Sequence, residues 1–209
     1  MVTQISTEDP RVKRTRGLLQ TAFAALLVEK GFHGLTVQDI ADRATVNRVT
    51  FYAHFADKYA LLDSVIREEF ARRVAQKLPA GAPLTEANLR TLAAAVIELL
   101  GQMSGHCPGT DKQVEPLFAT TLQGALYDFL LHWLEESGPA GGPDRAPRET
   151  TAAVLSWAIF GTGIQRSRVH PDEPADALAD QVIAVLTGGL PLVPPGARPA
   201  PRAWSPRGA

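Results

Sequence analysis

Apolar residues recur at three- and four-residue intervals through most of the chain, a spacing that predicts helices. From Arg14 to Lys30, the residues Leu18, Leu19, Ala22, Phe23 and Leu26 fall on one face, and Gly31 supplies the stop. Thr36 and Asp39 form an approximate capping box ahead of the short stripe Val37, Ile40, Ala41 and Ala44. Asn47 is placed to cap another short helix. Asp57 begins a longer one, striped by Tyr59, Leu62, Ile66, Phe70 and Val74 and ending before Pro79. The turn-rich PAGAPL (79–84) then breaks the run and marks a boundary on composition. Further helical runs lie near 85–104, 114–136, 148–169 and 174–187, separated by HCPGTD, SGPAGGPDRAP and HPDEP. No alternating pattern is long enough for a sheet, so the predicted fold class is all-α. The last twenty residues, from Leu190, hold six prolines and three arginines and are expected to form a disordered tail.

Composition narrows this picture. A chain of 209 residues that is 45% hydrophobic can bury a core without covalent staples. A net charge of -1 and a pI near 6.5 argue against a uniformly basic coat. They leave room for a basic face balanced elsewhere. The charge is in fact uneven. Residues 11–58 hold eight Lys or Arg against four acids, and residues 59–136 hold six against ten. That split suits a small nucleic-acid-binding head on a mildly acidic body. The single cysteine, Cys107, excludes an internal disulfide framework and a cysteine-only zinc site. His106 beside it adds one ligand and nothing completes the set, so neither metal nor cofactor is expected. The segment MVTQISTEDPRVKRTR has no apolar run before its basic cluster, and no stretch approaches the roughly 18 apolar residues of a membrane span. The expectation is a soluble, cytoplasmic protein with no membrane partner.

The chemistry concentrates in VNRVTFYAHF, residues 46–55. Two short helices, 36–43 and 47–54, are joined by Ala44-Thr45-Val46, which is helix-turn-helix dimensioning. At about 100° per residue, Phe51 and Phe55 share one face, turned inward against Leu26, Ile40 and Val46. Val49, Thr50 and Ala53 occupy the opposite face. These are small side chains, so the backbone can approach base edges, with Thr50 and Val49 touching bases or thymine methyls. Arg48 near the helix start suits a bidentate contact to guanine. Tyr52 and His54 flank the helix, where phosphates lie. Lys58, in the first turn of the next helix, suits a phosphate clamp, and the RVKRTR cluster suits backbone or minor-groove contacts. Taken alone, the ten residues also fit an ordinary buried helix. The flanks tip the balance towards DNA.

With its flanks, the stretch TVQDIADRATVNRVTFYAHFADKYALL (Thr36 to Leu62) resembles the tetracycline-repressor-like (TetR) transcriptional regulators. The Thr-x-x-x-Ile-Ala opening, Thr50-Phe51-Tyr52, His54-Phe55, Lys58 and Leu61-Leu62 carry the likeness, which extends back over the 14–30 helix. One departure is Thr45, where members usually have Gly. A β-branched residue in a left-handed turn costs about 1 kcal/mol or more. The resemblance implies an N-terminal three-helix DNA-binding domain with a helix-turn-helix (14–58) behind a flexible basic arm (1–13). It also implies a larger C-terminal helical ligand-binding and dimerisation domain (59–189) ahead of the tail (190–209). Base reading is then assigned to Gln38, Arg48, Val49 and Thr50. Phosphate contacts fall to Arg14, Arg16, Thr36, Asn47, Tyr52, His54 and Lys58.

The resemblance further implies a homodimer formed through the last two long helices. Val154, Trp157, Ala158, Gly161, Ile164, Leu178, Val182 and Leu186 are the interface positions, with Gly161 and Gly163 permitting close helix approach. It implies a small-molecule pocket, for which Cys107, Phe118, Phe129, Trp133, Trp157 and Phe160 are candidates. The expected function is a ligand-responsive dimeric repressor, released from a palindromic double-stranded operator by an unidentified small-molecule effector. The alternative is a helical small-molecule binding protein without operator-specific DNA binding, against which Arg48, Thr50, Tyr52 and Lys58 weigh. An enzyme finds no support, because the chain has no Gly-rich phosphate loop, no His-x-x-x-His pair and no nucleophile set beside a base.

Overall fold

The structure is a computed structural model that describes residues 9–106, 114–137 and 146–189; among them are eight helices and no strand. Helix α1 (Pro10–Lys30) begins four residues before the Arg14 predicted from periodicity. Asp9 caps it, its Oδ1 accepting the Arg11 N–H at 2.9 Å, and Pro10 fills a first-turn position that needs no N–H donor. Residues 10–13, expected in a flexible arm, are therefore helical. The opening turns PRVKRTR hold Val12 as their one aliphatic side chain besides Pro10 and carry no stripe, which hid them from periodicity. The rest of the arm, 1–8, and the tail 190–209 lie outside the described residues.

Helices α2 (Val37–Arg43) and α3 (Arg48–His54) follow, each with the predicted cap. Thr36 Oγ1 accepts the Asp39 N–H at 3.1 Å while Asp39 Oδ2 accepts the Thr36 N–H at 3.0 Å, a reciprocal capping box. Asn47 Oδ1 accepts the Thr50 N–H at 2.7 Å. Between the helices, the Val46 N–H reaches the Ala41 carbonyl (2.9 Å) and the Thr45 N–H reaches Asp42 (3.1 Å). This is a Schellman closure of α2, and it demands a left-handed residue at Thr45. Thr45 adopts φ 58, and it is the one non-glycine residue with positive φ among those described. Its side chain is exposed and packs on nothing that glycine would forfeit. Thr45→Gly should therefore stabilise the head by about 0.5–1 kcal/mol, relief of backbone strain exceeding the added entropy of the unfolded chain. The check is the thermal midpoint. A fall would show that the turn carries no strain.

Helix α4 (Lys58–Lys77) starts at Asp57, whose Oδ1 accepts the N–H groups of Tyr59 (2.9 Å) and Ala60 (2.8 Å). It packs on α1 with its first turns, then on α5 (Glu86–His106) and α6 (Val114–Glu136). Helix α7 (Arg148–Val169) lies against α5 and α6, and α8 (Ala175–Gly188) against α5 and α7. One continuous core runs from Leu19 and Phe23 in α1, through Leu61 and Ile66, to Leu92, Leu126 and Ile183. Helices α5 and α7 meet closely at Gly163, where a Cβ would stand 2.6 Å from Leu100 Cδ1 and 3.6 Å from Ile97 Cα. The close approach at Gly163 is thus inside one protomer, whereas a Cβ at Gly161 would meet nothing. No helix among the described residues is long and apolar enough to cross a membrane.

Ion pairs tie neighbouring helices together at the surface. Lys30 Nζ lies 2.6 Å from Asp39 Oδ1, and with Thr36 it holds that carboxyl far below its ordinary 3.8. Arg43 meets Glu29 fork to fork (2.9 and 2.7 Å), lowering Glu29 from 4.5. Arg90 lowers Asp180 in the same way. Because folding lowers these values, the unfolded chain binds more protons in acid. The stabilisation is full above about pH 5 and is lost as pH falls through 4.5 and 3.8 towards the folded values. Calorimetry should find a thermal midpoint that drops between about pH 5 and pH 3, and less steeply in high salt, since these pairs are exposed.

Candidate nucleic-acid interface

Helix α3 is mounted by its aromatics. Phe51 is fully buried, Phe55 is 4% exposed, and their ring centroids are 6.0 Å apart. Asn47, Arg48, Val49, Tyr52 and Ala53 are all exposed on the far side, Val49 at 79%. Arg48 and Tyr52, one turn apart, form a pair. The guanidinium donates to Tyr52 Oη at 3.3 Å and sits 5.8 Å from the ring centroid. A cation held over an aromatic edge is restrained before it meets any ligand. The (i, i+4) spacing of Arg48 and Tyr52 already signals this contact in the sequence.

Other expected DNA residues are placed differently. Thr50 is half-buried, and its hydroxyl donates to Asn47 Oδ1 at 2.9 Å, so it belongs to the α3 cap more than to the outer face. Asn47 is exposed but its carbonyl oxygen is spent on that cap, as is the Thr36 hydroxyl on the cap of α2. Gln38 is exposed on α2, held by a 2.7 Å bond from its amide to Asp42. Arg14 is exposed on α1 beside Arg11 and Lys13. His54 is half-buried at the end of α3 and shares a recess with Arg16.

Two basic residues expected on phosphate are turned inward. Arg16 lies over the Phe55 ring at 4.7 Å and donates to Ser64 Oγ at 3.2 Å, joining α1 to the end of α3 and to α4. Lys58 donates to the carbonyls of Phe32 (3.0 Å) and Leu35 (2.9 Å) and stands 4.6 Å from the Phe32 ring centroid. Its ammonium satisfies two backbone oxygens of the α1–α2 turn and so stitches that turn to α4. Those partners are carbonyls 26 and 23 residues away. No side-chain pattern announces them.

In the body, a cleft of about 240 Å³ lies between α4, the Pro79–Ala82 turn and α6. Phe70, Val74, Leu78, Phe129 and Trp133 form its floor and walls, and the Trp133 indole N–H donates to the Ala82 carbonyl at 2.6 Å. Of the pocket candidates, Phe129 and Trp133 line this cleft, while Phe118 and Phe160 pack in the core away from it. Trp157 does not line this cleft. It is 60% exposed on α7, edge-on to Phe160. Cys107 lies outside the described residues. On the α7–α8 face, Val154 and Gly161 are exposed with Trp157, and Ala158, Ile164 and Leu186 are half-buried. Leu178 (9%) and Val182 (6%), expected at a dimer interface, belong instead to the protomer's own core. Their apolar character marked burial, which periodicity cannot divide between partner and self. Val185, 52% exposed, stands on the outer side of α8.

A short, rigidly mounted second helix, its outer face lined by a paired arginine and tyrosine and small side chains, defines a helix-turn-helix protein. Residues 19–65 match the family model described as bacterial regulatory proteins, tetR family, so the helix-turn-helix segment is of that kind. An uncharacterized HTH-type transcriptional regulator of Bacillus subtilis, YxbF, is 37% identical over 183 residues, 85% of this chain and 46% of that protein. The HTH-type transcriptional repressor KstR2 of Mycobacterium tuberculosis is 39% identical over 57 residues, 27% of this chain and 28% of its own length. The chain thus spans under half the length of the relatives it matches. Among solved structures, a TetR-family regulator from Syntrophomonas wolfei has a TM-score of 0.57 at 18% identity, covering 87% of this chain and 98% of its own. One from Streptomyces coelicolor has 0.54 at 17%, covering 86% and 96%. At such identities these two speak for the fold.

Proposed function

We propose that the protein is a dimeric transcriptional repressor that reads a palindromic operator with α3 and leaves it when a small molecule binds the body. The observation that carries this reading is the split of α3, with Phe51 and Phe55 buried and Arg48, Val49, Tyr52 and Ala53 presented outward. A helix so mounted fits the major groove, with Arg48 placed for guanine and Val49 for a thymine methyl. The exposed apolar side chains Val154 and Trp157 on α7 and Val185 on α8 support dimerisation through these helices. A two-fold pair of heads reads two half-sites, which accounts for a palindrome. An effector that favours another separation of the heads depletes the DNA-competent form.

The test is salt-dependent binding to duplex fragments from upstream of the protein's own reading frame. Arg48→Ala should cost about 1–3 kcal/mol at one base position. Lys58→Met should lower the thermal midpoint, by removing the bonds from Lys58 to the Phe32 and Leu35 carbonyls, while keeping the salt slope of binding unchanged. A slope reduced by about one would return Lys58 to the phosphate backbone. Failure to bind any fragment specifically at low salt would sink the repressor reading.

A further inference from the structure

The cleft between α4 and α6 is unusual in its chemistry. Its space exists because alanines line α4 where the stripe of larger residues ends: Ala71 and Ala75 sit one turn apart beside Phe70 and Val74. Its walls are aromatic, with Phe70 edge-on to Phe129 (5.9 Å between centroids) and Phe129 tilted against Trp133 (5.6 Å). The Trp133 N–H is already committed to Ala82, so it offers an occupant no donor. At the rim stand His132 and Glu136, with Nε2 and Oε1 3.3 Å apart. No lysine or arginine lines the cleft among the described residues.

We propose that this cleft binds a compact aromatic or apolar cation, with Glu136 as its counter-charge; this rests on the reading of the body as a small-molecule receptor. Ring faces attract a cation within about 6 Å, and a carboxylate at the mouth adds a second attraction of the same sign. An anion meets the opposite on both counts. The volume, about 240 Å³, is below the roughly 300–1,000 Å³ of sites for drug-sized ligands, so the occupant is small. It enters by taking the place of His132 beside Glu136. It would touch the last turns of α4, the helix whose first turn Lys58 fastens to the head.

The test titrates the full-length chain with three probes of one shape: benzyltrimethylammonium, uncharged neopentylbenzene and anionic phenylmethanesulfonate. The reporter is the Trp133 indole N–H resonance. The cation should saturate with a dissociation constant on the order of a millimolar or below, as its size allows. It should bind about tenfold more tightly than the anion. Glu136→Gln should cut that preference to about threefold or less. Ala75→Phe, at an exposed rim position, should abolish binding with the thermal midpoint unchanged. Equal or tighter binding of the anion, or undiminished binding to Ala75→Phe, overturns the assignment. Binding without any loss of operator affinity upholds the cleft and removes only its role as the effector site. No response to any of the three probes overturns the cleft while leaving the DNA-reading role of α3 standing.

Discussion

Phe51→Ala should melt the DNA-reading head while the helical body stays folded. Helix α3 is seven residues long, too short to persist on its own, and Phe51 is its one buried residue. Truncating a fully buried phenylalanine costs about 3–5 kcal/mol through lost transfer energy and the cavity left behind. That is a large share of the roughly 5–15 kcal/mol that stabilises a typical domain. The loss falls on the smallest packed unit, where Phe55 and Tyr52 lean on the same ring. Hydrogen exchange should show amides of α2 and α3 losing protection first, with those of α5 and α7 much less affected, and operator binding should disappear in parallel. If all helices lose protection together, head and body form one cooperative unit, and the local argument fails.

Trp157→Asp should turn the proposed dimer into monomers and weaken binding to the proposed operator by at least about a hundredfold. Trp157 is 60% exposed, and its one described ring contact is Phe160, so the protomer gives up little by losing it. In an isologous interface the same residue acts twice, and a central tryptophan typically contributes about 2 kcal/mol or more each time. A carboxylate there would also be buried without a partner. Sedimentation at micromolar concentration reads the oligomeric state, and calorimetry checks that the protomer still melts near the original temperature. A variant that remains dimeric would move the interface away from the α7 face of Val154, Trp157 and Gly161.

The elements of this fold were readable because their signals are local. Caps at Thr36, Asn47 and Asp57 formed as expected, and the apolar stripes of α1 and α4 became their buried faces except at Leu18 and Tyr59, which are 44% and 50% exposed. Thr45 was marked by departure from a family pattern, and it does take the left-handed conformation that the turn requires. Signals failed where the answer depended on distant partners. Lys58 and Arg16 read as phosphate contacts in a basic segment, and each is held by groups far along the chain. Leu178 and Val182 read as interface yet are buried in the protomer's own core, and Trp157, read as a pocket residue too, does not line the α4–α6 cleft, because an apolar residue on a helix states only that it is to be covered.

The sequence by itself determined the helices, their caps and the inward turn of Phe51 and Phe55. Each of these follows from spacing along one helix and from side chains bonding backbone within a few residues. Only the tertiary structure decided which cations remain free for DNA, which apolar faces the protomer covers itself, and where alanines leave a cleft between α4 and α6. Those depend on how helices far apart in the chain are packed together, and hydrophobic periodicity carries no information about the neighbour a face will meet.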